Sequence, residues 1–226
     1  MARRAGCGAS LVVERNPRRT FYHMTHPRLL RLLSALGAAA VAAVAAVAAA
    51  SCRDAPLHGV AVADPYPAPS LAVTMASGSR YVLAADTGKL VLLYFGYTSC
   101  PDYCPMMLRD WKRAKESLGA LADGVRFVFV SVDPERDTPA GTDAYARRYD
   151  PAFIGLAPPP AQLDSIKTAW NVTAYKEAVS PGAAANRYSV AHPAHAFLVN
   201  RAGRVQVMYP PETLWQDLAA DLKRMR

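Results

Sequence analysis

Two nearly continuous apolar and aromatic runs, KLVLLYFGY at 89–97 and VRFVFVSVD at 125–133, dominate the fold of this chain. Runs of this length without polar alternation fit strands buried on both faces. Between them Met107, Trp111, Ala114, Leu118 and Leu121 recur at steps of four and three. That stripe predicts an amphipathic helix starting at Pro105. Strand, crossover helix and strand make a parallel βαβ unit, normally right-handed.

The remaining pattern extends this unit. Helices are expected over 139–148 and 161–170, the latter after the prolines at 158–160. AHAFLVN (194–200) and RVQVMY (204–209), separated by RAG, read as an antiparallel hairpin, and ETLWQDLAADLKRM closes with a helix. The order is that of an α/β, thioredoxin-like fold: a central mixed sheet flanked by helices.

The front of the chain reads differently. RLLRLLSALGAAAVAAVAAVAAASC, from Arg28 to Cys52, has a basic start, an uncharged stretch and then small residues. This is the layout of an export signal. Its core of about 19 residues is also close to the roughly 20 that span a bilayer. Its ending resembles a bacterial lipoprotein signal with Cys52 as the lipidated residue.

The expected organisation is a basic leader at 1–23, upstream of a start at Met24, and a signal peptide or membrane anchor at 24–52. A proline-rich tether follows at 53–70 and one folded domain at 71–226. The expected location is the bacterial cell envelope, membrane-anchored, with the domain facing the periplasm. Residues 1–52 hold 7 of the 26 basic residues and one of the 18 acidic ones, leaving 19 basic against 17 acidic beyond them. The basic balance therefore belongs to the leader and makes no case for a nucleic-acid surface.

Of the four cysteines, only Cys100 and Cys104 fall in the domain, within TSCPDYCP. With Pro105 as the first helical residue, Cys104 is expected as the cap. Both sulfurs then lie by the positive end of the helix dipole, which favours thiolates. A structural disulfide would stabilise little, because so short a loop constrains the unfolded chain by only roughly 2 kcal/mol. A closed zinc site needs four ligands, and the domain offers these two cysteines with His58, His192 and His195.

His58 falls in the tether and is set aside. His195 begins a strand and has no assigned role. His192 precedes Pro193, so it is expected to be extended and in the loop before that strand. In a thioredoxin-like fold this loop lies against the amino end of the first helix, where His192 can face the sulfurs. Two thiolates and an imidazole form a soft set suited to Cu(I), with room for a weak fourth ligand for Cu(II).

YFGYTSCPDYCP, VSVDPERDTP, YARRYDPAFIGL and VAHPAHAFLVNRAGRV, in this order, resemble the SCO/SenC family of copper-binding, thioredoxin-fold proteins. The resemblance runs from about Leu71 to Arg226. It implies copper held by Cys100, Cys104 and His192 and passed to the dinuclear copper site of cytochrome c oxidase during assembly. It also implies an upstream copper donor and a thiol reductant as partners. PGAAAN at 181–186 departs from the family pattern and is expected as a variable loop or partner contact.

Asp133 and Asp137 match the family block, and a structural role in their loop is the expectation. Met106 and Met107 adjoin the cysteines, and Met107 belongs to the buried stripe. Two other readings stand beside the metallochaperone. One is a thiol–disulfide oxidoreductase in which Cys100 attacks and Cys104 resolves, keeping the oxidase's ligand cysteines reduced. The other is a peroxide-reducing relative, which needs neither this cysteine spacing nor a distant histidine.

Overall fold

The computed structural model describes residues 56–178 and 188–225. The leader, Cys52 and the PGAAAN loop lie outside the described residues. Among the described residues no helix is long and apolar enough to cross a membrane.

In chain order the elements are β1 (Val60–Pro67), β2 (Ala72–Thr74), β3 (Arg80–Val82), β4 (Leu90–Gly96), α1 (Tyr103–Leu118) and β5 (Val125–Ser131). They continue as α2 (Pro139–Arg147), β6 (Ile154–Leu156), α3 (Pro160–Trp170), β7 (Tyr175–Ala178) and β8 (Tyr188–Ala191). The chain closes with β9 (Ala196–Val199), β10 (Arg204–Tyr209) and α4 (Trp215–Arg224). Six strands form one sheet in the order β1-β10-β9-β4-β5-β6, and β2–β3 and β7–β8 are separate hairpins. β4 runs parallel to β5, and β5 to β6, while β9 joins β4 antiparallel. This mixed sheet is the thioredoxin-like arrangement.

Every residue of β4 is buried because helices cover both of its faces. Neighbouring strand residues point to opposite faces. Tyr94 meets Trp111 of α1, whereas Phe95 meets Trp170 of α3. Trp111 continues the first layer onto Phe127 and Phe153. On the opposite face Trp170 also packs on Phe197. Fully burying apolar side chains of this kind stabilises by roughly 1.5–3 kcal/mol each relative to exposure.

Three expectations are corrected. Helix α1 starts at Tyr103 with Asp102 as its cap residue, so Cys104 lies inside the first turn. Pro105 is still tolerated there, because the first four helical N–H groups lack intrahelical acceptors. Leu121 lies beyond α1 and is 38% exposed, since the helix tightens into a 3₁₀ turn at Gly119–Gly124.

The third correction concerns the tether. Val60–Pro67 is a strand, paired antiparallel with β10 at the sheet edge and irregular between Ala61 and Tyr66. Its mostly exposed side chains carry no burial signal, and prolines are tolerated at an edge where N–H groups face outward. His58 then has a structural role. Its backbone N–H donates to Asp221 Oδ2 at 2.9 Å and its Nδ1 lies 2.9 Å from Asp221 Oδ1. Gly59 N and Tyr209 Oη also donate to this fully buried carboxylate. The hydrogen bond to Asp221 raises the His58 pKa, tying the start of the described chain to α4.

Candidate metal centre

β4 ends at Gly96, and the chain turns through Thr98 and Cys100 into α1. The Cys100 amide donates to Tyr97 O at 3.2 Å, and the Cys104 amide points at Cys100 Sγ at 3.5 Å. Here the spacing of four has a physical reason. Cys100 stays outside the helix as an acceptor for one of its unpaired first-turn amides, while Cys104 is carried on the inward face. Cys104 is fully buried and Cys100 is 9% exposed.

His192 comes from the opposite side, one residue past β8. Its Nε2 lies 3.9 Å from Cys100 Sγ and 3.8 Å from Cys104 Sγ. Its Nδ1 is 3.0 Å from the Pro193 carbonyl. A carbonyl only accepts, so Nδ1 carries a proton, and Nε2 is the nitrogen turned towards the sulfurs. Tyr94 and Tyr97 hold the imidazole edge-on, with ring centres 5.8 and 5.6 Å away.

The two sulfurs and Nε2 all lie within 4.8 Å of one another, the one such His, Cys, Asp or Glu group among the described residues. Metal–sulfur and metal–nitrogen bonds of roughly 2.3 and 2.0 Å at trigonal angles separate sulfur from nitrogen by about 3.7 Å. The observed separations fit that requirement closely, and the donors are soft. His195 is elsewhere: its ring packs on Phe197 at 4.8 Å, and burial lowers its pKa. Met107 is buried on the α1 stripe, and Met106 lines a shallow groove with Pro101, Tyr103 and Arg109.

The expectation of two favoured thiolates is corrected. The hydrogen bond from Cys104 pulls the Cys100 pKa down to about 4 against the effect of burial, with His192 adding to the fall. Burial, followed by the neighbouring Cys100 sulfur, pushes Cys104 well above the ordinary thiol range. The two sulfurs are thus pushed in opposite directions, with Cys100 the readier thiolate. In the reduced, metal-free chain, thiolate absorbance from Cys100 is expected to persist down to about pH 4. Stability from this depressed group is present above the ordinary thiol pKa and declines as pH falls towards about 4. An absorbance titration of the wild-type chain beside Cys104→Ala checks the assignment: the low step should move up towards the ordinary thiol range once the Cys104 hydrogen bond is gone, and a wild-type chain with no thiolate signal below the ordinary thiol range would refute it.

Asp137 has the expected structural role. It accepts from Thr98 N at 3.0 Å, Thr98 Oγ1 at 2.5 Å and Ser131 Oγ at 2.6 Å, bracing the turn ahead of Cys100. Sequence reasoning missed Gly96, Tyr94 and Tyr97. A Cβ on Gly96 would lie 2.5 Å from Cys104 Sγ and 2.8 Å from the Phe129 ring. The only available signal was a glycine closing an otherwise bulky strand.

A mixed thioredoxin-like sheet, with a dithiol at the first helix and an imidazole from a late loop, defines a thioredoxin-fold protein with a soft metal centre. The SCO1/SenC family model matches residues 72–226, and the chain belongs to that family. It is 32% identical to an SCO2-like protein of Rickettsia felis over 117 residues, 52% of this chain and 56% of that one. The chain spans about half the length of the curated relatives it matches.

Among solved structures, the apo Sco1 protein of Thermus thermophilus is similar with TM-score 0.68 and 34% identity, over 76% of this chain and 98% of that one. ScoI of Bradyrhizobium japonicum with copper bound gives TM-score 0.63 and 35% identity, over 71% and 99%.

Proposed function

We propose that the chain is a copper metallochaperone that carries copper between Cys100 Sγ, Cys104 Sγ and His192 Nε2. The acceptor is the dinuclear copper site of a cytochrome c oxidase subunit. The observation that carries this reading is the convergence of two sulfurs with an imidazole that turns Nε2 towards them. The similarity to a copper-bound relative supports copper as the ion. The Nδ1–H contact to Pro193 fixes the ring, and the two tyrosines restrict its rotation.

Transfer follows from the unequal burial of the ligands. Cys100 and His192 lie nearer the surface than Cys104, so an acceptor thiolate meets them first. One bond to copper forms as another breaks and the oxidation state is unchanged; Cys100 departs as a thiolate, and Cys104, the sulfur pushed up by burial, takes the proton that an acceptor thiol gives up on ligating. Cys104 leaves last. Loading requires both cysteines reduced, so an upstream copper donor and a thiol reductant belong to the same scheme. The signal or anchor segment would hold the domain at the bacterial cell envelope, facing the periplasm.

A second reading has its own support. The low pKa of the more exposed Cys100 suits a nucleophile. In thiol–disulfide exchange, Cys100 would attack a substrate disulfide and release one substrate thiol. Cys104 would then resolve the mixed disulfide, leaving Cys100–Cys104 oxidised and the substrate reduced.

His192→Ala separates the two readings. Copper affinity, measured by chelator competition, is expected to fall by at least about 100-fold, the upper end of losses seen when only a ligand's supporting partner is removed. Dithiol exchange should survive. Unchanged copper affinity with exchange lost would overturn the chaperone assignment.

A further inference from the structure

The SVDPERDTP loop supplies no metal ligand, yet Asp133 is only 2% exposed. One of its two partners is Tyr188 at the start of β8, the strand that leads into His192. The β7–β8 hairpin is not hydrogen-bonded into the six-stranded sheet. Among its described side chains Val190 alone is buried, so apolar packing gives this arm little hold on the body.

The loop grips it instead. Tyr188 Oη donates to Asp133 Oδ1 at 2.7 Å, and Arg136 Nη1 donates to the Tyr188 carbonyl at 3.0 Å. Arg136 Nε pairs with Asp133 Oδ2, neutralising the buried carboxylate. The guanidinium lies 3.7 Å from the Tyr188 ring centre and 5.5 Å from that of Tyr97, whose ring abuts His192. Lys176 of β7 adds an ion pair with Glu135 and sits 4.8 Å from the Tyr188 ring.

We infer that Asp133 and Arg136 form a latch that clasps the hairpin arm through Tyr188 and so sets His192 against the two sulfurs. Both are positioning residues on a loop that carries none of the candidate ligands, and they act through Tyr188 and Tyr97. Opening the latch withdraws the imidazole and leaves a two-sulfur site, a route from tight holding to release. The inference rests on the copper-carrier reading, since it concerns delivery of the proposed nitrogen ligand. The arm's placement can nevertheless be measured without metal.

The test compares the full chain with Arg136→Gln. Cu(I) affinity by chelator competition should drop about 10- to 100-fold, the usual loss for a ligand's supporting partner. Added imidazole should restore most of it by filling the vacated position. In metal-free protein, the nuclear Overhauser cross-peaks between the His192 and Tyr97 rings should disappear. Tyr188→Phe, which removes only a hydroxyl, should shift all three readouts the same way and replaces Arg136→Gln if that variant does not fold.

Wild-type affinity in these variants, or a loss that imidazole does not restore, would overturn the latch. If the wild-type chain held no copper, the carrier reading would fall. The ring cross-peaks alone would then judge the latch, and their persistence in the variants would overturn it.

Discussion

Gly96→Ala is expected to abolish stoichiometric copper retention although Gly96 ligates nothing. The added methyl would sit 2.5 Å from Cys104 Sγ, 2.8 Å from the Phe129 ring and 3.0 Å from the Tyr94 ring. All three neighbours are fully buried, so none can swing into solvent. The sulfur must move away from His192 and Cys100, or the strand must shift. Overpacking of this kind costs typically 1–3 kcal/mol. The loss falls on the innermost sulfur as well as on stability, so its effect exceeds removal of His192. Copper content after gel filtration, with a melting curve of the same sample, checks it. Full copper loading in Gly96→Ala would show that the Cys104 sulfur does not rest on the strand as described.

Gly155→Ala is expected to produce the largest loss of stability, at a position distant in sequence from both cysteines. A Cβ there would lie 2.2 Å from the Thr142 carbonyl oxygen and 2.7 Å from Asp143 Cα. These are backbone atoms of α2, and no side-chain rotation relieves the clash. The cost should reach the upper end of overpacking, about 3 kcal/mol or more. At roughly 2–4 °C per kcal/mol for a domain of this size, the melting temperature should fall by about 10 °C. Calorimetry of the reduced, metal-free protein checks this. A melting temperature equal to that of the wild type would mean that α2 does not cross β6 at Gly155.

The legibility of this chain differed from element to element. β4, β5 and α1 were readable because burial on two faces and on one face writes distinct periodicities into the side chains. β1 was not. Its fold-defining interactions are backbone hydrogen bonds to β10, which any non-proline residue supplies, and its exposed side chains resemble those of a linker. His58 was passed over for the same reason: its partner Asp221 lies 163 residues away, on a helix whose own pattern gives no hint of a buried carboxylate.

The sequence alone determined the α/β class, the two cysteines at the mouth of the first βα turn, and the candidate histidine beside Pro193. These follow from local patterns of polarity, spacing and proline geometry. Only the tertiary structure decided that His192 Nε2 faces both sulfurs, that the surroundings push Cys100 and Cys104 in opposite directions, and that Tyr188 meets Asp133 and Arg136. Each depends on distances across long sequence separations. Those distances are set by packing and by the low dielectric of the buried site, which amplifies small differences in burial into opposite shifts of the two thiols.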